Sequence, residues 1–218
     1  MKRLIESALP VAALLCAAPA CAQDWSGPPA PPAGAARTQV IPPQDGLGRY
    51  ATPNQGLSPH EVTWHFRAAL NVAALGCRDF ADAGMADAYN RMLTAEARPL
   101  AAADAGVKAQ YRARHGGGWE AAHDRAMTRL YNYFAQPPAH TAFCAAARDI
   151  LAQGEGLSPI EFPDFAAWAL PRLDAPFTDF YRAFEAWQAA DAAWRRQGSG
   201  APVEVAAAIP PPSGMIVP

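Results

Sequence analysis

The chain has 218 residues, with 18 Lys and Arg set against 20 Asp and Glu and a formal net charge of −2. No basic block or stripe is present, which argues against a nucleic-acid surface, because neutralising phosphates needs concentrated Lys and Arg. Hydrophobic residues make up 51% and prolines number 22, so one packed unit flanked by segments that cannot pack is the expectation at this length.

The chain opens on Met1-Lys2-Arg3, then an apolar stretch from Leu9 to Ala20, then the small-residue triplet Ala20-Cys21-Ala22. That order predicts a signal peptide over 1–22, cleaved after Ala22, and a periplasmic or secreted product. The apolar stretch falls short of the about 20 residues a membrane span requires. An alternative reading takes Ala18-Pro19-Ala20-Cys21 as a lipidation site, which would leave an acylated Cys21 tethered to a membrane surface. The mature chain carries no other candidate membrane span.

Residues 23–57 read as a Pro-rich linker, with Pro28-Pro29, Pro31-Pro32, Pro42-Pro43 and Pro53 and no apolar periodicity. Residues 198–218 read as a disordered tail. Between them, 58–197 is expected to be an all-α domain, a compact bundle of about five to six helices. Ser58-Pro59-His60-Glu61 is a capping box with proline at the first helical position. Val62, Phe66, Ala69, Leu70 and Ala73 then mark one helical face, closed by Gly76. A second helix is expected from about 82 to 98, broken by Pro99, and a third from about 100 to 114, stopped by Gly116-Gly117-Gly118. The fourth starts at Trp119 and ends at Pro137-Pro138, and the fifth runs from Pro138 to Gly154. Ser158-Pro159-Ile160-Glu161 repeats the capping signal and opens a helix that Pro163 and Pro171 should keep short; a last helix starts near Pro176. No run alternates with period two, so no sheet is expected.

Cleavage would remove Cys16 and Cys21 and leave Cys77 and Cys144. An even pair in an oxidising compartment predicts one disulfide, two buried free thiols being the alternative. Such a bridge closes a long loop and contributes roughly 4 kcal/mol on the chain-entropy account.

Motifs for chemistry are sparse. His60, Glu61 and His65 cluster at one helix start, and Glu120-Ala121-Ala122-His123 is a Glu-x-x-His, but a di-iron bundle needs two such motifs with further carboxylates. A solvated helix face is the plainer reading, and no metal or other cofactor is expected. No Gly-x-Ser-x-Gly is present, and two serines read as helix caps. No catalytic residue is proposed, and whether the chain is an enzyme stays open, with the balance against it. Residues 115–144 are the densest stretch. Within it Trp119, Glu120, His123, Arg125, Arg129, Tyr131 and Asn132 form a candidate binding patch, of residue types enriched at binding hot spots. The plainer alternative is a core corner with hydrogen-bonded tips. Asn71 and Asn90, within apolar stretches, would pair across the bundle.

Leu130-Tyr131-Asn132-Tyr133-Phe134-Ala135-Gln136-Pro137-Pro138, Phe143-Cys144, Cys77 and Tyr89-Asn90 together resemble a family of exported all-helical alphaproteobacterial proteins, over about residues 58–196. That resemblance implies a compartment and a fold, and no mechanism. The two cysteines bracketing a helical region, with a Tyr/Asn-rich early helix, also resemble the lysozyme-inhibitor domain of the LprI type. The expected function is a cell-envelope binding or interaction module whose partner is an envelope protein or a small ligand. A ligand- or metal-binding bundle and a lysozyme-inhibitor-like protein are the alternatives.

Overall fold

The computed structural model describes residues 27–36 and 38–198. The expected signal peptide, the Cys21 lipidation site and residues 199–218 of the expected tail lie outside the described residues. Six helices account for the architecture: α1 (Pro59–Gly76), α2 (Met85–Ala95), α3 (Ala97–His115), α4 (Trp119–Phe134), α5 (His140–Gln153) and α6 (Phe162–Gly198). Single 3-10 turns at Phe80–Asp82, Gly116–Gly118 and Pro137–Ala139 join them. Among the described residues there is no strand beyond one isolated bridge, Gln44 to Tyr50. No described helix is long and apolar enough to cross a membrane.

The first capping box forms as its residues dictate. Ser58 Oγ accepts from the Glu61 N–H at 3.3 Å, and Glu61 Oε2 accepts from the Ser58 N–H at 2.9 Å. The second does not start a helix where expected. There both the Ser158 N–H and hydroxyl donate to Glu161 Oε2, at 3.1 and 2.6 Å. With the hydroxyl engaged by the carboxylate, no side chain caps a first turn, and the helix begins only at Phe162.

The second helix also ends earlier than expected. Pro99 has no N–H for the Ala95 carbonyl four residues before it, and α2 stops at Ala95. Pro99 then sits harmlessly in the first turn of α3.

The two short C-terminal helices expected from the prolines are one helix of 37 residues, with Pro171 and Pro176 inside it. The reason is its stripe. Phe162, Leu170, Leu173, Phe177, Phe180, Tyr181 and Phe184 are all buried on one side. Each contributes about 2 kcal/mol by burial, against a cost of about 3 kcal/mol for each interior proline. Their centre is an aromatic cluster, with the rings of Phe134, Phe143 and Phe177 5.3–5.7 Å apart.

Cys77, at the end of α1, is bonded to Cys144 in α5, with the Cα atoms 5.7 Å apart across 67 positions of sequence. The disulfide expected from the cysteine count is therefore present.

Residues 27–36 and 38–57 form neither helix nor strand, apart from that bridge, yet they pack as a strap along α6. Trp187 Nε1 donates to the Pro29 carbonyl at 2.9 Å. The Tyr50 ring is buried edge-on to Tyr181, 5.2 Å between centroids, and its hydroxyl donates to Glu185 at 2.6 Å. One tyrosine and a few side-chain hydrogen bonds, not a periodic apolar pattern, fasten the segment.

Candidate functional site

A hollow lies where α1, α2, α5 and the start of α6 meet. It is a cavity of about 290 Å³, walled by Phe66 and Leu70 of α1, Met92 of α2, Ile150 of α5 and Phe162 and Phe165 of α6. Helical spacing accounts for this: Phe66 and Leu70 are four apart, as are Ala88 and Met92, so each pair presents one face. Gly154 leaves room for a wall, since a Cβ there would stand 3.1 Å from the Phe165 ring.

Of the three charged residues that line this space, Arg91, Glu96 and Glu155, one is buried. Glu96, in the single-residue joint between α2 and α3, is 3% exposed, and its Oε2 is buried without a hydrogen-bond partner. A polar side chain at a helix start ordinarily turns back to cap free N–H groups; Glu96 makes no such bond. Burial pushes its carboxyl above the usual carboxylate range. An ionised, unpaired carboxylate in such a place is costly, so the site favours either the protonated acid or a guest that donates to it. At the rim, Arg91 and Glu155 form an exposed ion pair at 2.8 Å, and both also line a neighbouring cleft against Asp82 and Arg148.

A second polar group lies beneath the strap. Asp174 Oδ1 accepts from the Tyr133 hydroxyl at 2.7 Å and from Asn54 Nδ2 at 2.6 Å. The Thr52 hydroxyl reaches Oδ2 at 3.4 Å. Asn54 Oδ1 faces His65 Nδ1 at 3.0 Å, which fixes the proton on Nδ1, because an amide oxygen only accepts. Burial raises the Asp174 carboxyl, with its three hydrogen bonds opposing. Burial lowers His65 to about 4, opposed by the nearby Glu61 charge. These donors and acceptors are matched to one another, and they hold the strap to α1, α4 and α6.

The sequence-derived patch divides in the structure. Trp119 is half-buried beneath the Arg112 guanidinium, 4.3 Å from its ring centre. His123 packs edge-on to Tyr111 at 5.2 Å, and its Nε2 is buried without a partner. Tyr131, further along α4, accepts from Arg67 of α1 at 3.4 Å. Glu120, Arg125, Arg129 and Asn132 are exposed. Of the neighbouring aromatics, Tyr133 and Phe134 belong to the core. Asn90 is exposed while Asn71 is half-buried, so a buried Asn–Asn pair does not form.

The first metal candidates do not converge. His60 is exposed against Gly106, Glu61 pairs with Arg114 at 3.2 Å, and His65 faces Asn54. Among the described residues, the group of three ligand-type side chains within mutual reach is Cys77, His140 and Cys144.

Glu96 and Asp174 carried no signal in the sequence. Each reads as one charge among many on a helix, and only the packing of distant segments buries it. No family model, curated protein or solved structure matches this chain.

Proposed function

We propose that this chain is an exported cell-envelope binding module that holds a small, largely apolar molecule in the cavity between α1, α2, α5 and α6. The observation that carries the reading is Glu96: a buried carboxyl with an unpartnered oxygen, set among apolar walls with the Arg91–Glu155 ion pair at the rim. Ligand sites commonly combine apolar walls with a few polar groups that fix orientation. The export half of the reading rests on the order of charge, apolar run and small residues over 1–22. The ligand would present one hydrogen-bond donor to Glu96 and bury its apolar body against Phe66, Met92 and Phe162.

The test uses 2-phenylethanol as donor-bearing probe and its methyl ether as the donor-free control, with binding followed by backbone amide chemical shifts. The alcohol should bind at least ten-fold more tightly, the effect of one hydrogen bond to a buried acidic group. Ala88→Phe, which fills the cavity from α2, should abolish binding, and retained affinity in that variant sinks the proposal. Glu96→Leu should erase the preference for the alcohol while stabilising the fold by about 1 kcal/mol, since it removes an unsatisfied buried group.

A further inference from the structure

The disulfide has a third member. His140 opens α5 and Cys144 stands one turn further on, so both side chains lie on the same helix face. Cys77 reaches them from the end of α1. The two sulfurs and an imidazole nitrogen all lie within 4.8 Å of one another. His140 Nε2 is 3.7 Å and Nδ1 3.8 Å from Cys144 Sγ.

Those separations match a metal ion's needs. Ligand atoms 2.0–2.3 Å from a tetrahedral zinc ion stand about 3.3–3.8 Å from each other. The His140 nitrogens already meet that spacing from Cys144 Sγ, and Cys77 Sγ lies within 4.8 Å of the set. The sulfurs must part by roughly 1.7 Å once their bond is broken. The surroundings suit a soft cation: Cys77 and Cys144 are buried. Gly76, exposed, adds no side chain beside the imidazole.

We propose that Cys77, Cys144 and His140 form a redox-gated site for a thiophilic d10 cation such as Zn²⁺, closed by the disulfide and opened by reduction. A dithiol reductant supplies two electrons and two protons; the Cys77–Cys144 bond breaks to two thiols, and the dithiol becomes its own disulfide. The arriving Zn²⁺ displaces the two thiol protons, and the neutral imidazole completes a three-ligand set with one position left open. The cation then ties α1 to α5 across the same 67 positions that the disulfide had closed, so the bundle keeps its cross-link in either redox state.

The experiment uses the full chain carrying Cys16→Ser and Cys21→Ser, so that no other thiol contributes. After reduction and removal of reductant under nitrogen, it is titrated with Cd²⁺, read by the thiolate-to-cadmium charge-transfer band, and with Zn²⁺, read by metal retained after gel filtration. One ion per chain is expected from the reduced protein and none from the oxidised protein. Zn²⁺ should also raise the midpoint of thermal unfolding of the reduced chain, or restore its helical circular dichroism if reduction has unfolded it. His140→Ala should weaken binding at least ten-fold and leave the melting of the oxidised form unchanged. The proposal is overturned if the reduced chain retains no stoichiometric ion, or if His140→Ala binds as tightly as the parent.

Discussion

His65 shows how one buried ring sets a pH limit on the whole molecule. The imidazole is held neutral to about 4, against 6.5 when unfolded, chiefly because burial penalises its charge. The folded state therefore binds fewer protons than the unfolded state between those values. The resulting stabilisation is complete above pH 6.5 and is lost as pH falls toward 4, by about 3 kcal/mol in total. Asp174 and Glu96 act in the opposite sense, since their raised carboxyls favour the folded state as pH falls. The difference between the parent and His65→Gln isolates the histidine: the variant should lose less stability between pH 6.5 and 4, measured by denaturant unfolding at each pH. At this scale the sequence was a partial guide. It marked Glu61 and His65 as neighbours on one helix start, but not that Asn54, eleven positions earlier, would bond His65. A side-chain partner within an irregular segment leaves no periodic trace.

Helices were legible to the extent that their own residues determine them. The cap of α1 is local chemistry, and it formed as read. The fate of Pro171 and Pro176 is not local: it depends on how much apolar surface the neighbours of α6 cover, which no window around the prolines reports. The α1–α3 contact belongs to the same class. Gly106 lies inside α3, where glycine costs about 1 kcal/mol relative to alanine. It is tolerated because the His60 ring of α1 lies against it. A Cβ at 106 would stand 2.8 Å from His60 Nε2 and nearer still to Cδ2. Gly106→Ala should therefore destabilise the fold by about 1–3 kcal/mol. In a His60→Ala background the same change should become neutral or stabilising, which a double-mutant cycle by urea unfolding would register.

For the molecule as a whole, the cross-link between α1 and α5 acts by restricting the unfolded chain. Cys77→Ser should lower the unfolding free energy by roughly 4 kcal/mol, on the chain-entropy account for a loop of 67 positions. Chemical reduction of the parent, before any metal is added, should give a similar loss. That bridge was readable from a count of thiols and a presumed compartment. The cavity was not, because the residues that wall it are the same Phe, Leu and Ile that fill a core, and only their final placement separates the two uses.

The strap gives the domain a direction. The chain passes Pro29 beside Trp187, near the C-terminal end of α6. The cavity is walled by Phe162 and Phe165, at the N-terminal end of the same helix. At about 1.5 Å of rise per residue, these points are roughly 35 Å apart. Pro29 is thus docked far along α6 from the cavity. If the chain were moored by that end, the cavity would face outward, away from the mooring surface, like the lamp at the top of a post.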